Sequence, residues 1–370
     1  MTATALYAQQ PYNKDAWGHK AYDEFKDQFF FTGMLGEGEN AIIEHITELS
    51  KNSKGEAGAW LHLLADIHGG GVVGDNTMEN RERELEASWI RCNFDRLRNA
   101  MVTKGKKDEQ KSVIDARKAF RKKLARWLAE SYEEQIILTA SGIGYGFNTD
   151  GSARTTPAGQ DPWTDLDYAA DVSAPTSNRH LRFVGSSDTL DDGDTTAVAA
   201  GDTLTYEVIP LLEAAARGRN ITPVRVGGQE YFVWMLHTDA MAQLWKDTNF
   251  RTIVTQAGVR GDSNPIFKGG YVTMNNIIIK PYRRTYSTKG TSTKWGSGST
   301  VEGSRSLLMG AQGLAMVDLG PVNWEEQLKD YNSRWGLCGD KMGGFRKATF
   351  LDSLTDTNED FSILAVDHAL

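Results

Sequence analysis

The stretch 108–140, DEQKSVIDARKAFRKKLARWLAESYEEQIILTA, constrains this chain more than any other, because it carries a single apolar stripe at helical spacing. At 100° per residue, Val113, Ala116, Phe120, Leu124, Trp127, Leu128 and Leu138 fall within about 60° of one direction. Its length, about 39 Å from Val113 to Leu138 at 1.5 Å per residue, makes it a spine for other elements. Asp108 and Glu109 stand at its start, where open amide groups favour acids, and Gly142 is placed to stop it. Ile136, Ile137 and Leu138 point in different directions, so the last turn is expected to be wrapped by protein. The polar face is unusual. Arg117, Lys118, Arg121, Lys122, Lys123 and Arg126 come first and Glu130, Glu133 and Glu134 last, which opposes both the helix dipole and favourable i,i+4 pairing. The stripe is therefore either a solvated face or one matched by charges from outside the helix.

The chain has 370 residues, 40% of them hydrophobic and 24% charged, which suits two or three sub-domains with real cores and excludes disorder throughout. With 49 acids against 41 Lys and Arg, the net charge of −8 excludes a protein that grips nucleic acid over its whole surface. Two distant cysteines, Cys92 and Cys338, predict free thiols and a reducing compartment. The N-terminus lacks a signal peptide's basic and apolar regions, and no run nears the roughly 18 apolar residues of a membrane span. A soluble protein made in the cytoplasm is expected. The 10 tryptophans are read as packing contacts.

Residues 1–16 read as an arm leading into an aromatic helix at 20–31, with Tyr22, Phe25, Phe29 and Phe30 to be buried on the body or on a neighbour. The runs 42–49 and 57–64 read as a hairpin around the polar turn 50–56. The mixture of Ile42, Glu44, Ile46 and Glu48 suits a projecting hairpin that meets a partner. Another strand is expected at 85–97. Residues 145–201 read as an inserted surface loop or small subdomain, in which Asp188, Asp191, Asp192 and Asp194 lack the spacing of an EF-hand. An α/β unit follows, with a helix at 204–217, strands at 229–236 and 271–280, a helix at 239–245 and a mobile loop at 286–304. Residues 306–317 should pack back on this unit. The tail from 324 reads as strand pieces with turns at Gly339, Gly343-Gly344 and Asp356-Thr357-Asn358, returning to the spine.

Catalytic and ligand motifs are weak. His62 and His68 are six residues apart, not the i,i+4 of a helical zinc pair. Gly142-Ile143-Gly144-Tyr145-Gly146 follows a helix, whereas a dinucleotide loop follows a strand. No phosphate loop or nucleophile elbow is present. No catalytic residue, metal or cofactor is assigned, and the chain is expected not to be an enzyme. The competing readings are an α/β hydrolase-like enzyme and a Trp-rich carbohydrate-binding module.

Several motifs carry a resemblance: Ile46-Thr47-Glu48-Leu49-Ser50-Lys51 with Lys54-Gly55, the loop 69–80 ending Thr77-Met78-Glu79-Asn80, and Asp95-Arg96-Leu97-Arg98-Asn99-Ala100. Asn264-Pro265-Ile266-Phe267, Leu308-Met309-Gly310-Ala311-Gln312-Gly313, Trp324-Glu325-Glu326-Gln327-Leu328-Lys329-Asp330-Tyr331 and Gly343-Gly344-Phe345-Arg346-Lys347 continue the series. In order and spacing the chain resembles the major capsid proteins of N4-like tailed phages from about residue 37 to 367, departing from their pattern at Asn80 and in the 145–200 stretch. The resemblance implies an α+β, HK97-type fold: an N-terminal arm (1–40), an E-loop hairpin with adjoining strands (41–105), a peripheral domain with the spine helix (106–203), an axial domain (204–320) and a C-terminal segment returning to the peripheral domain (321–370). It implies self-association into hexamers and pentamers of an icosahedral virion capsid around double-stranded DNA, bound without sequence specificity and with no membrane. Scaffold, portal and cement proteins are further partners, and synthesis is placed in the host bacterial cytoplasm. Lys51, Lys54, Glu56, Lys118, Lys122, Arg126, Glu130 and Glu133 are the residues expected at subunit interfaces.

Overall fold

A computed structural model of the chain describes residues 11–47, 58–64, 72–79, 87–111, 115–258, 272–291, 293–331, 333–352 and 357–370. Helix α1 (Pro11–Gln28) and the short α2 (Lys106–Lys111) precede the long helix, α3 (Ala116–Ser141). The long helix starts later than the acids at 108 and 109 suggest. Asp115 caps it, its side chain accepting from the backbone N–H of Arg117 and Lys118, and a side chain that satisfies open amides defines a start better than an acid run does. Val113 lies outside the described residues. The end is where the sequence puts it: Gly142 takes φ 68°, and its N–H and that of Ile143 bond back to Thr139 and Leu138. Phe120, Leu124, Leu128 and Leu138 are buried as the stripe requires, and every side chain from Gln135 to Ser141 is buried.

The first sheet is organised on β15 (Arg334–Lys347). On one side runs β5 (Asp95–Val102); on the other, β13 (Leu314–Asp318) and β14 (Asn323–Lys329) lie end to end, all antiparallel to β15. Beyond β13 come β2 (Ile43–Ile46) and β1 (Leu35–Gly36), both parallel. Leu314 and Met316 share a core with α3, while Ala315 and Val317 face the other way. That second face is covered by the antiparallel pair β3 (Ala59–Leu64) and β4 (Ala87–Cys92). The expected hairpin of 42–49 with 57–64 is therefore wrong. Ile43 and Ile46 are buried beside the wholly buried β13, and 59–64 pairs instead with 87–92; the turn 50–56 lies outside the described residues. Helix α1 lies along α3 and settles where the arm's aromatics go: Phe25, Phe29 and Phe31 are buried on the chain's own body, Phe25 edge-on to Tyr132 at 5.6 Å.

The second sheet runs β10 (Val272–Met274), β11 (Ile277–Pro281), β9 (Gln229–Leu236), β12 (Gly303–Met309), β18 (Ile363–Ala369), β6 (His180–Val184) and β7 (Thr189–Asp192), with β8 (Val224–Val226) paired to β9. Alternation along its strands makes two layers. Phe232, Trp234 and Leu236 face α4 (Val208–Gly218), α5 (Thr238–Lys246) and α6 (Thr248–Gly258), whereas Val233 and Met235 join the core that holds the end of α3. Pro210 sits in the first turn of α4, where its missing N–H costs nothing.

Four sequence expectations change here. Residues 145–201 are not an inserted surface loop: Tyr145 and Tyr168 are buried beside α3, and Leu181 and Phe183 supply the second core. Residues 286–304 are packed, with Thr288 and Trp295 buried and Trp295 exchanging backbone bonds with Val301. Of 306–317, β12 stays with the second sheet but β13 crosses to the first. In the tail, β14 and β15 return to the long helix, the small pair β16 (Thr349–Asp352) and β17 (Thr357–Asp360) follows, and β18 enters the second sheet between β12 and β6. The changes in 306–317 and in the tail are strand pairings between distant residues, which local periodicity does not encode.

Candidate functional site

Among the described residues no group of three His, Cys, Asp or Glu side chains could hold a metal ion. Three of the four acids of the 188–194 cluster have a structural use: Thr205 donates to Asp188 at 2.9 Å, Arg182 pairs with Asp191 at 3.3 Å, and Asp194 accepts from Thr196 N–H at 2.8 Å. His62 is exposed on β3, while Asp66 and His68 lie outside the described residues. The thiols of Cys92 and Cys338 are free.

The charged face of α3 is sorted by the fold into used and unused members. Arg117 pairs with Glu326 at 3.0 Å and lies over the Trp335 ring at 4.4 Å; Arg121 pairs with Glu24 at 2.6 Å and lies over Trp17 at 5.1 Å. Both arginines thus tie the helix to β14 and α1. The acids at the other end also turn to the chain itself. Glu134 pairs with Arg154 at 2.6 Å, and Glu130 with Arg126 at 3.0 Å and Arg284 at 3.2 Å. Burial alone would raise the Glu130 carboxyl, but these two guanidinium groups outweigh it and hold it below its ordinary value. Glu133, expected at a subunit interface, is buried, and accepts from Phe30 N–H at 2.7 Å and from the Tyr282 hydroxyl. That assignment is corrected: Glu133 is buried inside its own chain, where the arm and the segment following β11 meet on its carboxylate. Lys118, Lys122, Lys123 and Arg126 remain exposed. Lys118 is 3.6 Å from the exposed Asp115, and neither Lys122 nor Lys123 pairs with an acid among the described residues. Lys51, Lys54 and Glu56 lie outside the described residues.

A second surface escaped the sequence reading because it depends on the β3–β4 pairing. Ala59, Leu61, Leu63, Ile90 and Cys92 point inward, so the outer face carries Trp60, His62, Trp89 and Arg91. Trp60 stands opposite Arg91 and His62 opposite Trp89. The two indoles are 50% and 63% exposed, a concentration of apolar surface that a lone soluble domain gains nothing by displaying. The signal was present as a period-two alternation in Ala-Ser-Trp-Ile-Arg-Cys. Of the other eight tryptophans, Trp234, Trp295 and Trp324 are buried, Trp17, Trp127, Trp163 and Trp335 are half-buried, and Trp245 is exposed.

Two buried ionic nodes hold these surfaces in place. Arg305 grips Asp367 through Nε at 2.7 Å and Nη2 at 2.9 Å, and donates Nη1 to the carbonyl of Ser141, fixing the end of α3 to the second sheet. Asp318 accepts from Lys341 and from the Tyr22 hydroxyl at 2.9 Å, with His45 Nε2 at 3.2 Å. Burial pushes the Asp318 carboxyl up, but His45 and Lys341 together hold it well below the usual carboxylate range.

Comparison with known proteins adds the context for these faces. The family described as "Phage capsid protein" matches residues 10–370. The major capsid protein of Pseudomonas phage KPP25 is 35% identical over 358 residues, covering 95% of this chain and 94% of its own length. Among solved structures, the capsid of Ralstonia phage GP4 superposes with a TM-score of 0.75 at 21% identity, covering 92% of this chain and 91% of that one. The cyanophage Pam1 capsid does so with 0.67 at 17% identity, covering 92% of each.

Proposed function

The chain belongs to the phage capsid protein family and is a structural major capsid protein of a tailed phage, not an enzyme; from that premise we propose how its surfaces build a shell. Its α+β architecture is HK97-like. In this reading α3 and the first sheet form the peripheral domain, the second sheet with α4, α5 and α6 the axial domain, and β3–β4 the strands of the E-loop. Copies associate into hexamers and pentamers of an icosahedral wall around double-stranded DNA, after synthesis in the host cytoplasm. Scaffold, portal and cement proteins would dock on that wall.

The observation that carries the reading is the family match over residues 10–370. The Trp60 and Trp89 face supports it as a protein contact, since aromatic residues are enriched at interface cores and lysines depleted. Size-exclusion chromatography with negative-stain microscopy of the purified chain tests it. Capsomers or closed particles are expected; a monomer at every concentration and salt condition would overturn it.

A further inference from the structure

We propose that the outward face of α3 from Lys118 to Arg126 is a contact for the phosphate backbone of double-stranded DNA, made by Lys118, Lys122, Lys123 and Arg126. The inference rests on the reading of the chain as the wall of a DNA-filled shell and names the surface that meets the contents. Its first support is the division of labour among the six cations. The fold consumes Arg117 and Arg121 on Glu326 and Glu24, and leaves lysines outside. The acids that follow in sequence do not cancel the lysines: Glu133 is buried, Glu134 is held by Arg154, and Glu130 is shared between Arg284 and Arg126, so that Arg126 is the one cation of the strip partly neutralised from within α3. A chain of charge −8 therefore presents a locally positive strip.

The second support is what the strip lacks. Among the described residues, the exposed large apolar side chains include none on α3. A face meeting another subunit would need such anchors, and interfaces disfavour lysine. Phosphates need neither pocket nor anchor. Lysine, a flexible point charge, suits a contact that must release and re-form as a duplex is packed. Geometry fits as well. Lys118, Lys122 and Arg126 recur every four residues, making a row about 12 Å long, over which a duplex presents about seven phosphates. The contact is independent of base sequence, because no side chain of the strip is held in a geometry that reads base edges.

The test uses the purified full-length chain, its Lys122→Glu/Lys123→Glu variant, and Lys246→Glu/Arg251→Glu as a control that changes the net charge equally on α5 and α6. Binding to a short fluorescent duplex is measured across a salt series, and particle formation without DNA is scored by microscopy. The parent and the control should bind weakly with the same salt dependence for any duplex sequence. The α3 variant should bind more weakly, with a log–log salt slope shallower by up to about two. Its DNA-free particle yield should match the parent's. Unchanged duplex binding by the α3 variant, or equal losses in variant and control, overturns the proposal. Lost particle formation with duplex binding intact also overturns it, and assigns the strip to a neighbour's carboxylates. Failure of the parent itself to form particles would count against the shell reading alone, since duplex binding is read on unassembled chain.

Discussion

His368 shows how much a single residue can reveal about this fold. It lies on β18, wholly buried, with Nδ1 3.0 Å from the carbonyl of Ala369, and burial lowers its pKa from 6.5 to about 4. The unfolded chain therefore binds a proton that the folded chain refuses. Stability due to this group is complete above pH 6.5 and is lost as pH falls from there toward 4, by up to roughly 3 kcal/mol. His237, its pKa also lowered by burial, adds a loss of the same sign. Asp318 and Asp367 have folded values below 3.8, so their contribution is lost only at lower pH, and the two windows are separate. Denaturation in urea should show the parent weakening between about pH 7 and pH 5, with a shallower slope for His368→Gln. Parallel pH profiles for the two proteins would show that this imidazole does not set acid stability.

At the scale of elements, the long helix needs glycine in the strand beneath it. A Cβ on Gly339 would stand 2.0 Å from Leu124 Cδ2, and one on Gly343 2.8 Å from the Tyr132 hydroxyl oxygen. Sequence reading takes Gly339 and Gly343-Gly344 for turns, yet all three lie inside the 14-residue β15. The error is physical: glycine marks either a turn or a close approach of another element, and only the three-dimensional partner distinguishes them. The core stripe of α3 and its stop at Gly142 were legible because both are set within a few residues. Asp115 as the cap, Glu326 as the partner of Arg117, and β13 as the partner of β2 were not, because each depends on geometry or on residues far along the chain. Gly339→Ala should destabilise the subunit by about 1–3 kcal/mol through overpacking. Leu124→Ala should cost about 2–5 kcal/mol by opening a cavity. If the two side chains compete for one space, the double variant will be more stable than the sum of the single losses implies, measured by urea denaturation. Strict additivity would mean that α3 and β15 relax independently.

For the whole molecule, the distribution of exposed groups separates two kinds of contact: lysines along α3 and indoles along β3–β4. The indoles permit a quantitative expectation. A tryptophan side chain has about 150–250 Å² to bury, and Trp60 and Trp89 leave about half of that open. Covering it on a second subunit would contribute roughly 2–3 kcal/mol per indole at about 25 cal/mol per Å². In the isolated subunit the same side chains do little, because surface substitutions away from packed features usually change stability by less than about 0.5 kcal/mol. Trp60→Ser/Trp89→Ser should therefore leave urea denaturation of the unassembled chain nearly unchanged while weakening every subunit contact. Since each 1.4 kcal/mol is about tenfold in an equilibrium constant, the concentration at which particles first appear should rise at least about tenfold. The effect should persist at high salt, because hydrophobic contact is not screened, whereas a contact made by Arg91 alone would fade. Light scattering across a concentration series at two salt levels measures both quantities. An unchanged onset concentration, with the subunit still folded, would place the shell contacts elsewhere and leave the two indoles as a surface for a different protein.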